Sequence, residues 1–168
     1  MKVILIGFMG VGKTSVGKRL AEKLNFDFID TDYEIELLVN KTIPEIFENY
    51  GENYFRQLEN RILKKSLKEN DVVISTGGGI ISTKQNYDIL KNEEKVIFLD
   101  ASVETIVSHL QNEVNKRPML TKSKNLNNKI EELLSTRYKK YIKVSDIVID
   151  VDGKNIDEVI SQILVYIR

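Results

Sequence analysis

Short apolar runs alternate with longer stretches in which apolar residues recur every three or four positions, and the alternation continues almost to the end of the chain. The runs predict strands at Lys2 to Ile6, Phe26 to Ile29, Val72 to Ser75, Lys95 to Leu99 and Ile147 to Ile149. The periodic stretches predict helices near Ser15 to Leu24, Tyr33 to Val39, Ile43 to Asn49, Glu52 to Glu69, Lys84 to Lys91, Val103 to Asn112, Asn127 to Lys143 and Ile156 to Ile167. Strands that alternate with helices in this way point to an α/β fold whose parallel sheet is covered on both faces. In the last helix Ile156, Val159, Ile160, Ile163, Leu164 and Ile167 fall on one stripe, which predicts a packing face rather than a surface for a partner. Thr42 followed three residues later by Glu45 predicts a capping box, with Pro44 tolerated in the first turn. No repeat or proline-rich linker divides the chain, so residues 1–168 are read as a single domain.

Candidate chemistry begins where the first strand ends. Gly7-Phe8-Met9-Gly10-Val11-Gly12-Lys13-Thr14 is a complete G-x-x-x-x-G-K-T phosphate-binding loop, set between a predicted strand and a predicted helix as that loop requires. Its backbone N–H groups can wrap a triphosphate at the positive end of the helix. Lys13 would reach the β- and γ-phosphates, and the Thr14 hydroxyl would ligate Mg²⁺. An ordinary glycine turn would leave the adjacent lysine and threonine unexplained.

Composition narrows the partners. Lys plus Arg total 25 and Asp plus Glu total 25, so a net charge of zero provides no field to hold a polynucleotide. The chain has no cysteine, which removes disulfides, thiolate metal sites and cysteine nucleophiles together. Its apolar start is far shorter than the roughly 20 residues needed to span a bilayer and lacks the cleavage region of a signal peptide. A soluble, cytoplasmic protein with neither a nucleic-acid nor a membrane partner is expected.

Two further motifs follow strands. Asp30-Thr31-Asp32 comes at the carboxyl end of the second, on the sheet edge that also carries the phosphate loop. One carboxylate could orient Mg²⁺ through water and the other position a substrate hydroxyl, while helix capping is the alternative for both. Ser75-Thr76-Gly77-Gly78-Gly79 comes after the third strand, where consecutive glycines suit close approach of backbone N–H groups to a ligand, or a plain flexible turn. That strand ends without the acidic residue many P-loop ATPases use for Mg²⁺, so Asp30 would have to substitute.

Arg56 and Glu59 lie three apart on a helix whose apolar stripe is Phe55, Leu58 and Ile62. Periodicity alone makes Arg56 an exposed partner of Glu52 or Glu59, worth a few tenths of a kcal/mol. Arg137 could clamp a substrate carboxylate or sit in solvent. Periodicity is lost from about Glu113 to Asn128, around Arg117-Pro118, and a loop of that length suits a lid that excludes water and delivers a cation to the transferring group.

Taken together these residues resemble shikimate kinase. The family pairs the phosphate loop with Asp-x-Asp after the second strand, Phe-Arg-x-x-Glu, Gly-Gly-Gly, a lid Arg-Pro and a later arginine. Here they stand in that order as Gly7 to Thr14, Asp30 with Asp32, Phe55-Arg56 with Glu59, Gly77 to Gly79, Arg117-Pro118 and Arg137. The resemblance implies a three-layer P-loop kinase fold with a five-stranded parallel sheet ordered 2-3-1-4-5, a substrate-binding helical segment at about 31–60 and a mobile lid at about 113–126. It implies ATP-dependent phosphoryl transfer to the 3-hydroxyl of shikimate, in chorismate and aromatic amino-acid biosynthesis. A monomer is expected, though the sequence itself does not reveal the oligomeric state.

Residue roles follow from the same resemblance. Gly10, Val11, Gly12, Lys13, Thr14 and Ser15, joined by Arg117, would hold the nucleotide. Asp32 would hold the substrate hydroxyls and act as base, with Lys13 and Arg117 offsetting charge on the transferring phosphoryl. Arg56 and Arg137 would bind the substrate carboxylate, Glu59 would orient Arg56, and Gly78 and Gly79 would lend backbone donors. Thr14, with Asp30 through water, would hold Mg²⁺.

The chain departs from the family in two places. Where the family often has an adenine-stacking arginine ahead of the lid, this chain has His109 and Leu110, and the histidine reads as a solvated surface residue. Lys139-Lys140-Tyr141 replaces the usual Pro-Leu before tyrosine, which is expected to alter the start of the helix more than the chemistry. The rivals are a gluconate or nucleoside monophosphate kinase, a nucleotide switch and a non-catalytic ATP-binding protein. A guanine switch is disfavoured because Thr121-Lys122-Ser123-Lys124 lacks its base-reading carboxylate.

Overall fold

Strand β1 (Lys2–Ile6) lies at the centre of a five-stranded sheet, flanked by β3 (Val72–Ser75) and β4 (Val96–Asp100), with β2 (Asp27–Asp30) and β5 (Ile147–Asp150) at the edges. The order β2-β3-β1-β4-β5 is the expected one, and every pairing is parallel. The computed structural model describes residues 1–111 and 125–168. Helices cover both faces, so the central strands are buried on both sides and read as unbroken apolar runs.

Successive side chains of a strand point to opposite faces, and the core divides accordingly. Val3, Leu5, Val73, Ile97 and Leu99 pack under α1 (Lys13–Leu24), α5 (Val103–Leu110) and α7 (Ile156–Ile167). Ile4, Ile6, Ile74, Val96 and Phe98 pack under α3 (Ile43–Ser66), α4 (Lys84–Lys91) and α6 (Leu126–Val144). A smaller cluster of Ile35, Ile46, Phe55, Leu58 and Ile62 fastens α2 (Thr31–Val39) to α3.

Local chemistry accounts for most differences from the expected boundaries. Asn25 ends α1 in the left-handed region and the Phe26 N–H donates to the Ala21 carbonyl at 2.9 Å, so β2 starts one residue late, at Asp27. Lys95 has φ 59° and cannot extend β4. The two helices predicted on either side of Gly51 form as expected within the span labelled α3, separated at that glycine, whose φ 83° and ψ 171° are not helical. The capping box of Thr42 and Glu45 forms as expected. On α7, Val159, Ile160, Ile163 and Ile167 are buried, but Ile156 is 43% exposed and departs from the expected stripe. A 3₁₀ turn at Ile80–Ser82, not foreseen in the sequence, closes the glycine loop after β3.

Three of the strands, β1, β2 and β3, deliver their following loops to one edge of the sheet, where an open parallel sheet places its ligands.

Candidate active site

The phosphate loop leads from β1 into α1, and α1 differs from every other α-helix described. Side chains of Asp30, Thr42, Thr83, Ser102, Asn125 and Asn155 cap α2 to α7. At α1 the N-cap is Gly12, with φ 98°, no capping side chain and no acidic residue in the first turn. The N–H groups at this end have no intrahelical acceptor, so they and the helix dipole are available to an anion. Lys13 is buried, its Nζ donating to the Gly7 and Phe8 carbonyls at 2.7 and 2.9 Å, which lays the ammonium along the loop. The loop opens on a cleft of about 1110 Å³ whose walls include Gly10 to Ser15, Asp30, Asp32, Gly77 and Gly78.

In the Asp-x-Asp motif the first carboxylate caps a helix and also meets the phosphate loop. Asp30 is the last residue of β2 and the N-cap of α2, with Oδ1 accepting from the N–H groups of Asp32 and Tyr33 at 3.0 and 3.2 Å. Its Oδ2 accepts from the Thr14 hydroxyl at 2.7 Å. Asp32 lies in the first turn of α2 and also faces the cleft. Thr14 and Asp30 together offer hard oxygen donors beside the phosphate loop, a set that fits Mg²⁺. No cluster of three or more His, Cys, Asp or Glu able to hold a metal is found among the described residues.

Arg56 corrects the reading from periodicity. It is 9% exposed rather than solvated, because the face of α3 that carries it packs on the glycine loop. Its Nη1 donates to Glu59 Oε1 at 2.8 Å and to the Gly79 carbonyl at 3.1 Å, and its Nη2 reaches Glu52 at 3.3 Å. The guanidinium lies 5.2 Å from the centre of the Phe55 ring. Glu59 is fully buried, and desolvation raises its carboxyl pKa against the opposing pull of Arg56. For Arg56, burial acts to lower the pKa but is outweighed by Glu59 and Glu52, so the guanidinium stays charged.

Each glycine of the loop after β3 makes room for a different group. A Cβ on Gly77 would lie 2.6 Å from Asp32 Oδ1 and 3.1 Å from Glu59 Oε2. On Gly78 it would lie 2.9 Å from the Met9 backbone nitrogen, and on Gly79 2.5 Å from both terminal nitrogens of Arg56. None of the three has a left-handed backbone, so close approach requires glycine here, and a plain flexible turn does not describe the loop.

Arg137 is buried on α6, its guanidinium 5.7 Å from the centre of the Phe8 ring, and its Nη1 has no hydrogen-bond partner. Lys139 and Lys140 are exposed residues within the same continuous helix, so the departure after Arg137 does not disturb its placement. Sequence reasoning gave no role to two residues that shape the loop. The Tyr141 hydroxyl, buried and with its pKa pushed up to about 12 mainly by desolvation, donates to the Gly78 carbonyl. The Thr31 hydroxyl accepts from the Gly77 N–H at 3.2 Å. Neither residue type at its spacing distinguishes itself from an ordinary core side chain.

His109 is likewise not merely solvated. It lines the cleft, and its Nδ1 is 2.6 Å from the Gly10 carbonyl. At that end the cleft is completed by Val151, Lys154 and Asn155, to which no motif in the sequence points. Arg117 and the lid segment lie outside the described residues, except that Asn125 caps α6 and Leu126 begins it.

Residues 9–168 match the family model for shikimate kinase. The chain belongs to the shikimate kinase family. It is 41% identical over 166 residues to the shikimate kinase of Persephonella marina, an alignment spanning 99% of this chain and 98% of that one. It superposes on a shikimate kinase from Acinetobacter baumannii in complex with shikimate with a TM-score of 0.94 and 35% identity, over 99% of this chain and 92% of that one. A gluconokinase from Sinorhizobium meliloti shares only the fold, with a TM-score of 0.58 and 13% identity over 98% of this chain and 89% of that one. Like its family, the chain is a kinase. No described helix is long and apolar enough to cross a membrane.

Proposed function

We infer that this kinase transfers the γ-phosphoryl group of ATP to the 3-hydroxyl of shikimate, giving shikimate 3-phosphate and ADP. The observation that carries the reading is the meeting, at Gly77 to Gly79, of a cleft-facing carboxylate on one side and a buried guanidinium on the other. A small polyhydroxy acid needs those two groups at its opposite ends. We assign the substrate site to the segment 31–60, which carries Asp32, Arg56 and Glu59, with Gly78, Gly79 and Arg137 completing it. The lid is assigned to 113–126.

In this scheme Asp32 accepts the proton of the 3-hydroxyl as its oxygen bonds to the γ-phosphorus and the bond from that phosphorus to the β,γ-bridging oxygen breaks. Arg56 and Arg137 hold the carboxylate through charge-assisted hydrogen bonds. Glu59 fixes the Arg56 fork, leaving it little rotational freedom to lose on binding. Gly10 to Ser15 bind the phosphates, and Lys13 balances charge that spreads over the transferring group. Mg²⁺, held by Thr14 and through water by Asp30, would neutralise phosphate charge. Alignment and electrostatics are nearly all that phosphoryl transfer asks of a protein.

The direct test is ADP release from Mg²⁺-ATP with shikimate, gluconate, nucleoside monophosphates or no acceptor. Release that depends on shikimate and on none of the others is expected. Release with gluconate or a nucleoside monophosphate instead would replace the acceptor.

Gly79→Ala tests the clamp without touching a charged residue. Its added methyl must displace the Arg56 guanidinium, whose terminal nitrogens would be 2.5 Å away. The KM for shikimate should rise by roughly ten- to a hundredfold, the scale of a lost hydrogen bond to a charged group, while the KM for ATP holds. An unchanged KM for shikimate would remove Arg56 from the substrate site.

A further inference from the structure

We propose that His109 is a positioning residue for the phosphate loop: its Nδ1–H holds the Gly10 carbonyl and so fixes the Gly10–Val11 peptide in the orientation that binds the phosphates of ATP. The proposal rests on the reading that this loop holds ATP, and extends it to a residue outside the loop.

A carbonyl oxygen can only accept, so the 2.6 Å contact requires the proton on Nδ1, a donor that both the Nδ1–H tautomer and the imidazolium supply. The peptide is planar and trans, so its carbonyl and N–H point in opposite directions, and holding one end orients the other. At that other end, among the described residues, the Val11 N–H makes a long contact, 3.4 Å, with the Phe8 carbonyl. Gly10, at φ 84°, presents no Cβ to oppose rotation of the peptide. Were the peptide to flip, the Gly10 carbonyl would turn into the loop and repel an anion there. Among the described residues, His109 is the side chain that hydrogen-bonds this carbonyl.

The histidine is itself anchored. Its neighbour Leu110 is fully buried and wedged against the same glycine, such that a Cβ on Gly10 would lie 2.8 Å from Leu110 Cγ. The end of α5 therefore meets Gly10 at two points, one polar and one apolar. Because His109 also lines the cleft, contact with the nucleobase is the competing role, and the two make opposite demands on replacements.

The test measures binding of Mg²⁺-ATP and of Mg²⁺-tripolyphosphate, which has no base, by titration calorimetry on the full chain and on His109→Ala, His109→Phe and His109→Asn. Phenylalanine keeps a flat ring without the donor, and asparagine places an amide N–H near the Nδ1 position without the ring. Thermal melting checks that each variant is folded. His109→Ala and His109→Phe should each weaken both ligands by the same factor, roughly three- to tenfold, the scale of one net hydrogen bond. His109→Asn should bind both as the parent does, and kcat at saturating ATP should be retained. The proposal is overturned if tripolyphosphate binding is unmoved while ATP binding falls in the alanine variant and recovers with phenylalanine. It is equally overturned if all three variants bind like the parent. A parent that binds neither ligand would overturn the ATP reading itself, and the proposal with it.

Discussion

Asp32→Asn should lower kcat by about 10²- to 10⁴-fold, the usual worth of a positioned general base, and leave ATP affinity unchanged. Asparagine matches aspartate in size, so the first turn of α2 and its contact with Gly77 should persist. The cap of that helix is also untouched, because it uses the Asp30 side chain and the backbone N–H groups of residues 32 and 33. What the amide cannot do is accept the proton of the substrate hydroxyl. Single-turnover phosphoryl transfer, followed by rapid quench beside calorimetric ATP binding, separates the two effects. Normal turnover in Asp32→Asn would sink the proposed base, and a matching loss of ATP affinity would mean that the substitution had disturbed the nucleotide site instead.

Arg56→Ala should show the largest loss of stability as well as loss of substrate binding. Removing one partner of a buried ion pair leaves the other uncompensated, a cost of roughly 3–5 kcal/mol, well above that of a surface pair. The charge left behind is that of Glu59, which is fully buried. Desolvation already holds its pKa above the ordinary 4.5, with Arg56 the main opposing influence, and the variant should raise it further. A carboxyl group whose folded pKa exceeds its unfolded value binds more protons when folded, so stability falls as pH rises from 4.5 through the folded pKa. The deficit of Arg56→Ala should therefore be greater at pH 8 than at pH 5, and Glu59→Gln in the same chain should recover much of it at pH 8. Urea melts of parent, single and double variants at both pH values check this. A deficit independent of pH would mean that Glu59 is not the charge left exposed by the loss of Arg56.

The parts of the site differ in how plainly the chain announces them. The phosphate loop, with its strand and helix, is legible in the order of residues, and the strand order follows from the family resemblance. Asp30 and Arg56 are legible as residues but ambiguous as chemistry. For Asp30 the structure shows the cap, and also a second oxygen that takes the Thr14 hydroxyl beside the phosphate loop. For Arg56 the helical spacing correctly pairs it with Glu52 and Glu59, but spacing does not report what the opposite face meets. The exposed-pair reading fails because Gly79 packs on that face.

Features that depend on neighbours in the chain are written into the order of residues. Apolar alternation sets which faces a strand buries, and a glycine-rich turn between strand and helix sets the phosphate loop through local backbone geometry. Capping does the same for helix ends, as at Thr42 and Glu45. The contacts that complete the site come instead from folding in three dimensions: Arg56 on the Gly79 carbonyl across 23 positions, Tyr141 on Gly78 across 63, and His109 on Gly10 across 99. Over such separations periodicity carries no phase from one element to another. The relative placement of two elements is fixed by the packing of the sheet between them, which brings loops distant in sequence to one edge.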